Sequence, residues 1–443
     1  MRFGKILNSK AFFFILLALI AGSGIFRWRS ERARDYYQFW VVGQAIRSME
    51  LTNIYGAQDR HRIGQHFLDQ AIAQKASPSH LRAASYRRVI NPAGTPFLYG
   101  VFYLTSKGNY DFDYTVFRII SYFVYLLSII VLCDLLKIPR LLTIFLIVLL
   151  TEYFGPFRLD VMEGNVNQLQ VGIVAFLLWL RSRKKTIGAE ALSGAVCGLL
   201  IMFKPNMAPV GIFLLGGALL LRSIRPTLIL AGAMGLGMGF GYGLPLILFG
   251  RVCNWEQWRA AFPQLVFTPE YFYRSFLGQF FNATSLAPYF VLTAALAAAP
   301  FLLWLARSGL AKPPGPVEQS GLTGTDSRFI LEHLWLGLAV CVYLLGSTLV
   351  HYHYFLLIVP FLLVLFSNSR GYAGFPSLKG FRWMALGLIV YLLMALRAPY
   401  IGDGKDPLYS DWRLGFIGIL LLYGFGLYRL RRERRIDSTR AKD

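Results

Sequence analysis

Four short polar stretches of this sequence carry side chains that could do chemistry, and the first surrounds Asp35. The segment Arg27–Trp40 (RWRSERARDYYQFW) follows an apolar run and sets one carboxylate beside Tyr36 and Tyr37, with Arg34 and three further arginines before it. A carboxylate there can accept a proton from a hydroxyl or orient a ligand. Aromatic rings are common at lipid–water boundaries and can also be platforms for sugars. The alternative is an interfacial amphipathic helix that only anchors the chain.

The second stretch, 158–168 (RLDVMEGNVNQ), combines carboxylates with amides where an apolar helix begins. Asn167 and Gln168 would lie about one turn inside the membrane, where an unpaired amide is costly. These side chains therefore either bind a ligand or cap and join helices through hydrogen bonds. The candidates in this stretch are Asp160, Glu163, Asn165, Asn167 and Gln168.

The other two stretches supply a cation and two imidazoles. Lys204 stands at a break between two apolar runs and precedes Pro205. Backbone groups are therefore freed around a fixed cation, which suits a phosphate, although a lysine at a helix end can also simply extend to the interface. His351 and His353 alternate with tyrosines. With no carboxylate near them in the sequence, they suit a hydrogen bond to a phosphate or sugar better than a metal ion.

The composition is that of a membrane protein. Of 443 residues, 56% are hydrophobic, and the mean hydropathy is +0.49. The formal net charge of +22 could indicate nucleic-acid binding. However, the basic residues form short clusters between apolar runs, as the positive-inside rule produces, so nucleic acid is not an expected partner. The four cysteines have no disulfide or zinc spacing, so they are expected to be packing residues.

We predict an all-α polytopic membrane protein with about twelve transmembrane helices, because apolar runs of roughly 15–25 residues recur along the chain. The predicted spans are 8–26, 114–136, 141–156, 165–180, 188–203, 206–221, 226–249, 288–306, 329–350, 354–367, 381–397 and 413–428. With both termini cytoplasmic, every strongly basic later loop lies inside. The prediction is a multi-pass protein of the plasma or inner membrane, with its active site on the extracytoplasmic side.

Two membrane modules are predicted, separated by a linker. The divisions are a membrane module over 1–306 with outer loops 27–113 and 250–287, a cytoplasmic linker over 307–328, a four-helix module over 329–428, and a disordered, basic cytoplasmic tail over 429–443. The apolar segment 96–104 is short and accompanied by prolines and glycines. We therefore expect amphipathic or re-entrant helices in the long first loop rather than another crossing. The arginines of 27–34 then lie outside, which an anionic lipid headgroup would explain.

The order and topology of these motifs resemble glycosyltransferase family 87 of the GT-C superfamily, the polyprenyl-phosphate-mannose-dependent mannosyltransferases, once a family of unknown function. The resemblance extends over about residues 10–365. It is carried by Asp35 after the first helix, Gly164-Asn165-Val166-Asn167, Lys204-Pro205 and the late motif His351–Pro360. Asn165 stands where the family usually has Gln, and either His351 or His353 could match the late motif.

The resemblance implies transfer of a hexose, mannose or a related sugar, from a polyprenyl-phosphate donor to a lipid or glycan acceptor, by single displacement with inversion. It implies no required metal or other cofactor. Asp35 would be the general base, and Lys204, Arg34 and His351 or His353 would hold the donor phosphate. The implied substrate-binding residues are Tyr36, Tyr37, Asp160, Glu163, Asn165, Asn167 and Gln168.

Two other functions have different sequence signatures. A lipid-linked glycan polymerase or ligase is expected to have its large outer loop late in the chain, whereas here it comes first. A lipid or sugar transporter is expected to show inverted repeats and ionisable residues at the membrane midplane. Neither is evident in the sequence.

Overall fold

The computed structural model describes residues 10–27, 33–183, 186–221, 224–266, 272, 274–306, 325–367, 378–395 and 412–440, and it is helical. No β-strand occurs within those ranges. The prediction of an all-α protein is therefore confirmed for the described part of the chain.

The N-terminal third contains five helices before the first long apolar one. The five are α1 (Lys10–Arg27), α2 (Arg34–Ser48), α3 (Ala57–Ala73), α4 (Pro78–Tyr86) and α5 (Pro96–Thr105), and the long helix that follows them is α6 (Tyr110–Leu135). Short-range chemistry sets where several begin. The side chains of Ser77, Thr95 and Asn109 each accept a hydrogen bond from a backbone N–H in the first turn of α4, α5 and α6, which is how an N-cap residue stabilises a helix start.

The middle and C-terminal parts form the rest of the bundle. The helices are α7 (Arg140–Val148, continued by a π-helical turn Leu149–Tyr153), α8 (Gly155–Glu163), α9 (Asn167–Ser182), α10 (Ile187–Phe203), α11 (Ala208–Leu221, preceded by a 3₁₀ turn Pro205–Met207), α12 (Ile224–Phe249), α13 (Trp255–Val266), α14 (Phe276–Phe281), α15 (Ala287–Leu305), α16 (Thr325–Gly346), α17 (Val359–Ser367, preceded by a 3₁₀ segment Tyr352–Ile358), α18 (Leu378–Ala395) and α19 (Arg413–Arg440).

Five helices in the described residues are long and apolar enough to cross a membrane. They are Tyr110–Leu135, Ile224–Phe249, Ala287–Leu305, Phe329–Gly346 and Arg413–Arg431. A sixth crossing results if Arg140–Tyr153 and Gly155–Glu163, which meet at 55°, form one broken span. The protein is thus a helical membrane protein by length and composition, but the predicted count of twelve spans is not confirmed. The discrepancy arises because helix breaks divide several apolar runs into pieces shorter than a full crossing.

The structure also describes the apolar segment 96–104 and most of the C-terminal tail. The segment 96–104 forms the ten-residue helix α5, which is roughly 15 Å long and too short to cross a bilayer. The helix α19 continues to Arg440, so most of the stretch predicted to be a disordered tail is helical. The predicted linker lies largely in 307–324, outside the described residues, and the predicted spans 8–26 and 381–397 each extend past them.

Buried apolar side chains form two cores. One lies in the region of α2–α5 and the start of α6, and it also includes Phe203 and Phe249. The other joins α6–α11 to α16–α19. Within it, the Trp335 ring packs on Phe213 at 5.7 Å and on Phe301 at 4.8 Å between centroids. The two predicted membrane modules therefore share one core.

Candidate active site

The start of α2 is docked on the turn that follows α8. The backbone N–H of Ala33 donates to the carbonyl oxygen of Met162 at 2.9 Å. Gly164 in that turn has φ +65°, and a Cβ built on it would lie 2.7 Å from the Cβ of Tyr36. Glycine is needed there on both counts, for the left-handed backbone and for the close approach. This contact brings Asp35, at the second residue of α2, beside Asn165.

Asn165 joins the three chemically distinct groups that the sequence singled out. Its Nδ2 donates to Asp35 Oδ2 at 2.7 Å and lies 3.3 Å from His353 Nε2. Its Oδ1 accepts a hydrogen bond from Lys204 Nζ at 2.9 Å. A carboxylate, an imidazole and an ammonium from distant parts of the chain therefore meet at one amide. The set Asp35, Arg87, Asp160, Asn165, Asn167, Gln168, Lys204 and His353 is called the Asn165 network below.

A second amide, Asn167, supports Lys204 from the first residue of α9. Asn167 Oδ1 lies 3.3 Å from Lys204 Nζ, and Asn167 Nδ2 donates to Asp160 Oδ1 at 2.7 Å. Gln168 Nε2 donates to the other Asp160 oxygen at 3.1 Å. Asp160 is fully buried. Asp160, itself bonded by Gln168, therefore fixes the Asn167 amide that contacts Lys204. These hydrogen bonds join α8 to the start of α9.

Lys204 is a cation without direct contact to a carboxylate. Among the described residues, none of the ion pairs includes it. Its Nζ lies over the Tyr354 ring at 4.9 Å from the centroid, a cation–π contact. Burial lowers the pKa of Lys204 to about 8, although Asp160 and Asp35 favour the charged form. A partly buried ammonium whose contacts within the described residues are amides and a ring is suited to receive an anion.

Arg87 is a site residue that the sequence did not reveal. Its Nη2 donates to Asp35 Oδ1 at 2.8 Å, and its Nε donates to the backbone oxygen of Arg34 at 3.2 Å. Burial alone would raise the pKa of Asp35, but the Arg87 charge and the hydrogen bond from Asn165 hold that pKa below its ordinary value. Asp35 is therefore ionised at neutral pH, as a general base must be.

The two histidines differ in their contacts. Their rings are stacked, with centroids 5.3 Å apart and planes inclined by 3°. His353 belongs to the Asn165 network, whereas His351 Nδ1 lies 3.5 Å from Nη1 of Arg274, a buried arginine in the predicted second outer loop. Burial, together with Arg274, lowers the pKa of His351 to about 3, so this ring is neutral. Arg274 is the second site residue that no local sequence signal marked.

Arg34 is paired with a carboxylate in the structure. It forms two hydrogen bonds with Glu163, one of them between Nε and Oε2 at 2.7 Å. This pairing satisfies both charges, and Arg34 also covers the exposed Tyr86 ring at 4.4 Å. The assignments of Arg34 to the donor phosphate and of Glu163 to the substrate stay predictions, and in the structure each side chain binds the other. Arg29 and Arg32 lie outside the described residues.

The assignment of Tyr36 and Tyr37 to substrate binding also stays a prediction, and the structure places both side chains in a core. They are 2% and 0% exposed. The Tyr36 ring packs at 4.8 Å from Phe117 and 5.1 Å from Tyr114, and the Tyr37 ring at 5.5 Å from Tyr110. Neither ring has a face open to a sugar. Both stabilise the core formed by α2–α5 and the start of α6, and so fix the start of α2.

Within the described part of the chain, no three His, Cys, Asp or Glu side chains converge as a metal ion would require. Comparison of the chain with protein-family models, curated proteins and solved structures finds no match. The fold and the site define a helical membrane protein with a buried polar network at helix breaks.

Proposed function

We propose that this chain is an integral membrane glycosyltransferase that moves a hexose from a polyprenyl-phosphate donor to a lipid or glycan acceptor. The observation that carries the proposal is the meeting of Asp35, Lys204 and His353 at Asn165. A base for the acceptor and cationic and neutral donors for a leaving phosphate are thereby held in one network.

In a single displacement, Asp35 and Lys204 would act on different reacting groups. Asp35 takes the proton from the acceptor hydroxyl as its oxygen attacks C1 of the sugar. The bond between C1 and the phosphate oxygen breaks, and the polyprenyl phosphate leaves with both electrons. Lys204 stabilises the charge that develops on the phosphate. One displacement inverts the configuration at C1.

The surroundings of the network suit a lipid-linked donor. The prenyl chain needs an apolar environment, whereas the phosphate and sugar need polar partners. Lys204 lies at the break between α10 and the 3₁₀ turn before α11, and Asn165 lies in the turn between α8 and α9. Polar backbone and side chains at such breaks are tolerated in membrane proteins where they are buried or line a cavity. From the charge bias of the loops, we propose that the Asn165 network lies on the extracytoplasmic side of the membrane.

The test is sugar transfer in membranes that contain the protein. Polyprenyl-phosphate mannose and polyprenyl-phosphate glucose with a radiolabelled sugar are supplied, and new glycosidic bonds are counted for the wild type and Asp35→Asn. The variant is expected to lose about 10²–10⁴-fold in rate, the range for a general base. Asp69→Asn is the matched control, because Asp69 is an exposed carboxylate on α3.

Full activity of Asp35→Asn would remove Asp35 from the mechanism. Movement of the lipid-linked sugar across liposomes without a new glycosidic bond would replace the enzyme with a transporter.

A further inference from the structure

His353 has one ring nitrogen with a contact and one without. Nε2 lies 3.3 Å from Asn165 Nδ2. Nδ1 is buried and has no hydrogen-bond partner among the described residues. The side chain is 4% exposed, so water in bulk does not reach Nδ1. A buried polar atom without a partner is uncommon and calls for an explanation.

The orientation of the Asn165 amide follows from its other contacts. Its Oδ1 accepts from Lys204 Nζ at 2.9 Å and from the backbone N–H of Val166 at 2.7 Å. Turned the other way, the amide would place its oxygen against the Asp35 carboxylate and its NH₂ against an ammonium. Both contacts would be repulsive, so Nδ2 faces Asp35 and His353.

This orientation determines where the proton of His353 resides. Asn165 Nδ2 can only donate, so His353 Nε2 must accept. An imidazolium carries a hydrogen on both nitrogens, so the ring is neutral. A neutral imidazole has a single N–H. That hydrogen is therefore on Nδ1, the nitrogen without a partner.

On the basis of the proposed function, we propose that Asn165 holds His353 as the Nδ1–H tautomer and that this N–H donates to a phosphate oxygen of the polyprenyl-phosphate donor. Asn165 is then a positioning residue. Lys204 supplies a second donor in the same network, since two of its three hydrogens bond to Asn165 and Asn167. The phosphate would receive one neutral and one cationic hydrogen bond, and no proton would be transferred to it.

The neighbouring histidine has the opposite arrangement. The guanidinium of Arg274 only donates, so His351 Nδ1, at 3.5 Å from Nη1, accepts. The proton of the neutral His351 is then on Nε2. The two stacked rings thus carry their protons on different nitrogens, which gives an internal reference for a spectroscopic test.

The first experiment reads the tautomers without any substrate. The full-length protein is labelled with ¹⁵N-histidine and studied in lipid bilayers by solid-state NMR, where protonated and unprotonated ring nitrogens have well-separated shifts. The His353 signals are assigned by their absence in His353→Asn. We expect a protonated Nδ1 for His353 in the wild type and a mixture of tautomers in Asn165→Leu. A protonated Nε2 for His353 in the wild type would overturn the inference.

The second experiment separates the two nitrogens by substitution. In His353→Asn, the side-chain NH₂ falls near the place of Nδ1, whereas in His353→Gln it reaches the place of Nε2. Farnesyl phosphate is the probe, and farnesol is the control without a phosphate. We expect His353→Asn to bind farnesyl phosphate nearly as the wild type does. His353→Gln should bind it about 10- to 100-fold more weakly, the weight of a hydrogen bond to a charged group. Farnesol should bind all three equally.

The outcomes distinguish this inference from the proposed function. Equal loss of farnesyl phosphate binding in His353→Asn and His353→Gln would overturn the donor role of Nδ1 while leaving the transferase intact. A wild type with the Nδ1–H tautomer that bound farnesol and farnesyl phosphate equally would overturn the phosphate assignment and count against the proposed function.

Discussion

The two ends of α9 carry buried polar clusters of different construction. At its C-terminal end, Arg181 donates to Glu332 at 2.9 and 3.3 Å and to Glu190 at 3.0 Å. Arg181, Glu190 and Glu332 form the Arg181 cluster. At the N-terminal end, about 21 Å away at the helical rise, Asn167 belongs to the Asn165 network, in which Lys204 contacts amides while Arg87 pairs with Asp35.

The difference concerns which groups are already satisfied. In the Arg181 cluster, charge contacts opposite charge, and α9, α10 and α16 are held together. In the Asn165 network, amides stand between Lys204 and both acids, Asp35 and Asp160. Separating the charges keeps donors available for a ligand, whereas joining them neutralises the charge. The N-terminus of α9 adds a positive partial charge on the side of the Asn165 network.

Removing the cation of the Arg181 cluster should have the largest effect on stability. In Arg181→Met, the carboxylates of Glu190 and Glu332 lose the arginine that they contact inside the protein. Breaking a buried ion pair in this way costs about 3–5 kcal/mol. We expect a clear fall in the melting temperature in lipid nanodiscs, and partial recovery when Glu332→Gln is added. An unchanged melting temperature would contradict the structural role of the cluster.

Removing the cation of the Asn165 network should affect the reaction instead. Lys204→Met should lower sugar transfer by about 10²–10³-fold, as loss of one charge-stabilising donor does. The melting temperature should stay close to that of the wild type, because no carboxylate contacts Lys204 directly within the described residues. Lys107→Met, at an exposed lysine, is the control. Unfolding of Lys204→Met to the same degree as Arg181→Met would make Lys204 a structural cation and abolish the contrast.

The sequence was informative where residue type and helix breaks coincide. Lys204 before a proline, Asn165 after a glycine and Asp35 after an apolar run each combine a polar group with an interruption, and they do meet. Arg87 and Arg274 stand among many other cations. Only the fold selects them, because nothing local distinguishes an arginine that reaches a carboxylate from one in water.

Other features of the structure could not be predicted from the sequence, for physical reasons. An aromatic pair beside a helix start looks the same whether it faces a sugar or a core, so the burial of Tyr36 and Tyr37 could not be foreseen. The predicted number of crossings is not confirmed, because an apolar run in the sequence does not show where its helix breaks. The π-helical turn 149–153 and the 55° bend after it interrupt one predicted span.

Disturbing the contact between the start of α2 and the turn after α8 should have an intermediate effect on sugar transfer. Gly164→Ala requires a left-handed alanine, which costs about 1–2 kcal/mol, and its Cβ would approach the Tyr36 Cβ. Asp35 should move away from Asn165, and sugar transfer should fall roughly 10-fold or more, because small misplacements of reacting groups are costly. Gly232→Ala on α12 is the control, since an added Cβ there meets nothing within 4 Å. Equal activity of both variants would show that the docking of α2 does not position Asp35.

The smallest expected effect is a shift in the pH dependence when Arg87 is replaced. Arg87 lowers the pKa of Asp35, so Arg87→Gln should raise that pKa. The base is active only when ionised, and the acidic limb of kcat/KM should therefore move to higher pH, while the rate at neutral pH changes little. The alkaline limb should remain near the pKa of Lys204, about 8, because loss of that proton removes the positive charge.

Arg47→Gln controls for the loss of an arginine from the same region, since Arg47 donates to backbone oxygens at the end of α5. Its acidic limb should coincide with that of the wild type. If Arg87→Gln gave an unshifted limb as well, Arg87 would act only through its bond to the backbone of Arg34, holding α4 on α2. The Asn165 network would then resemble the Arg181 cluster on that side, with a charge pair that stabilises the fold and leaves the base untouched.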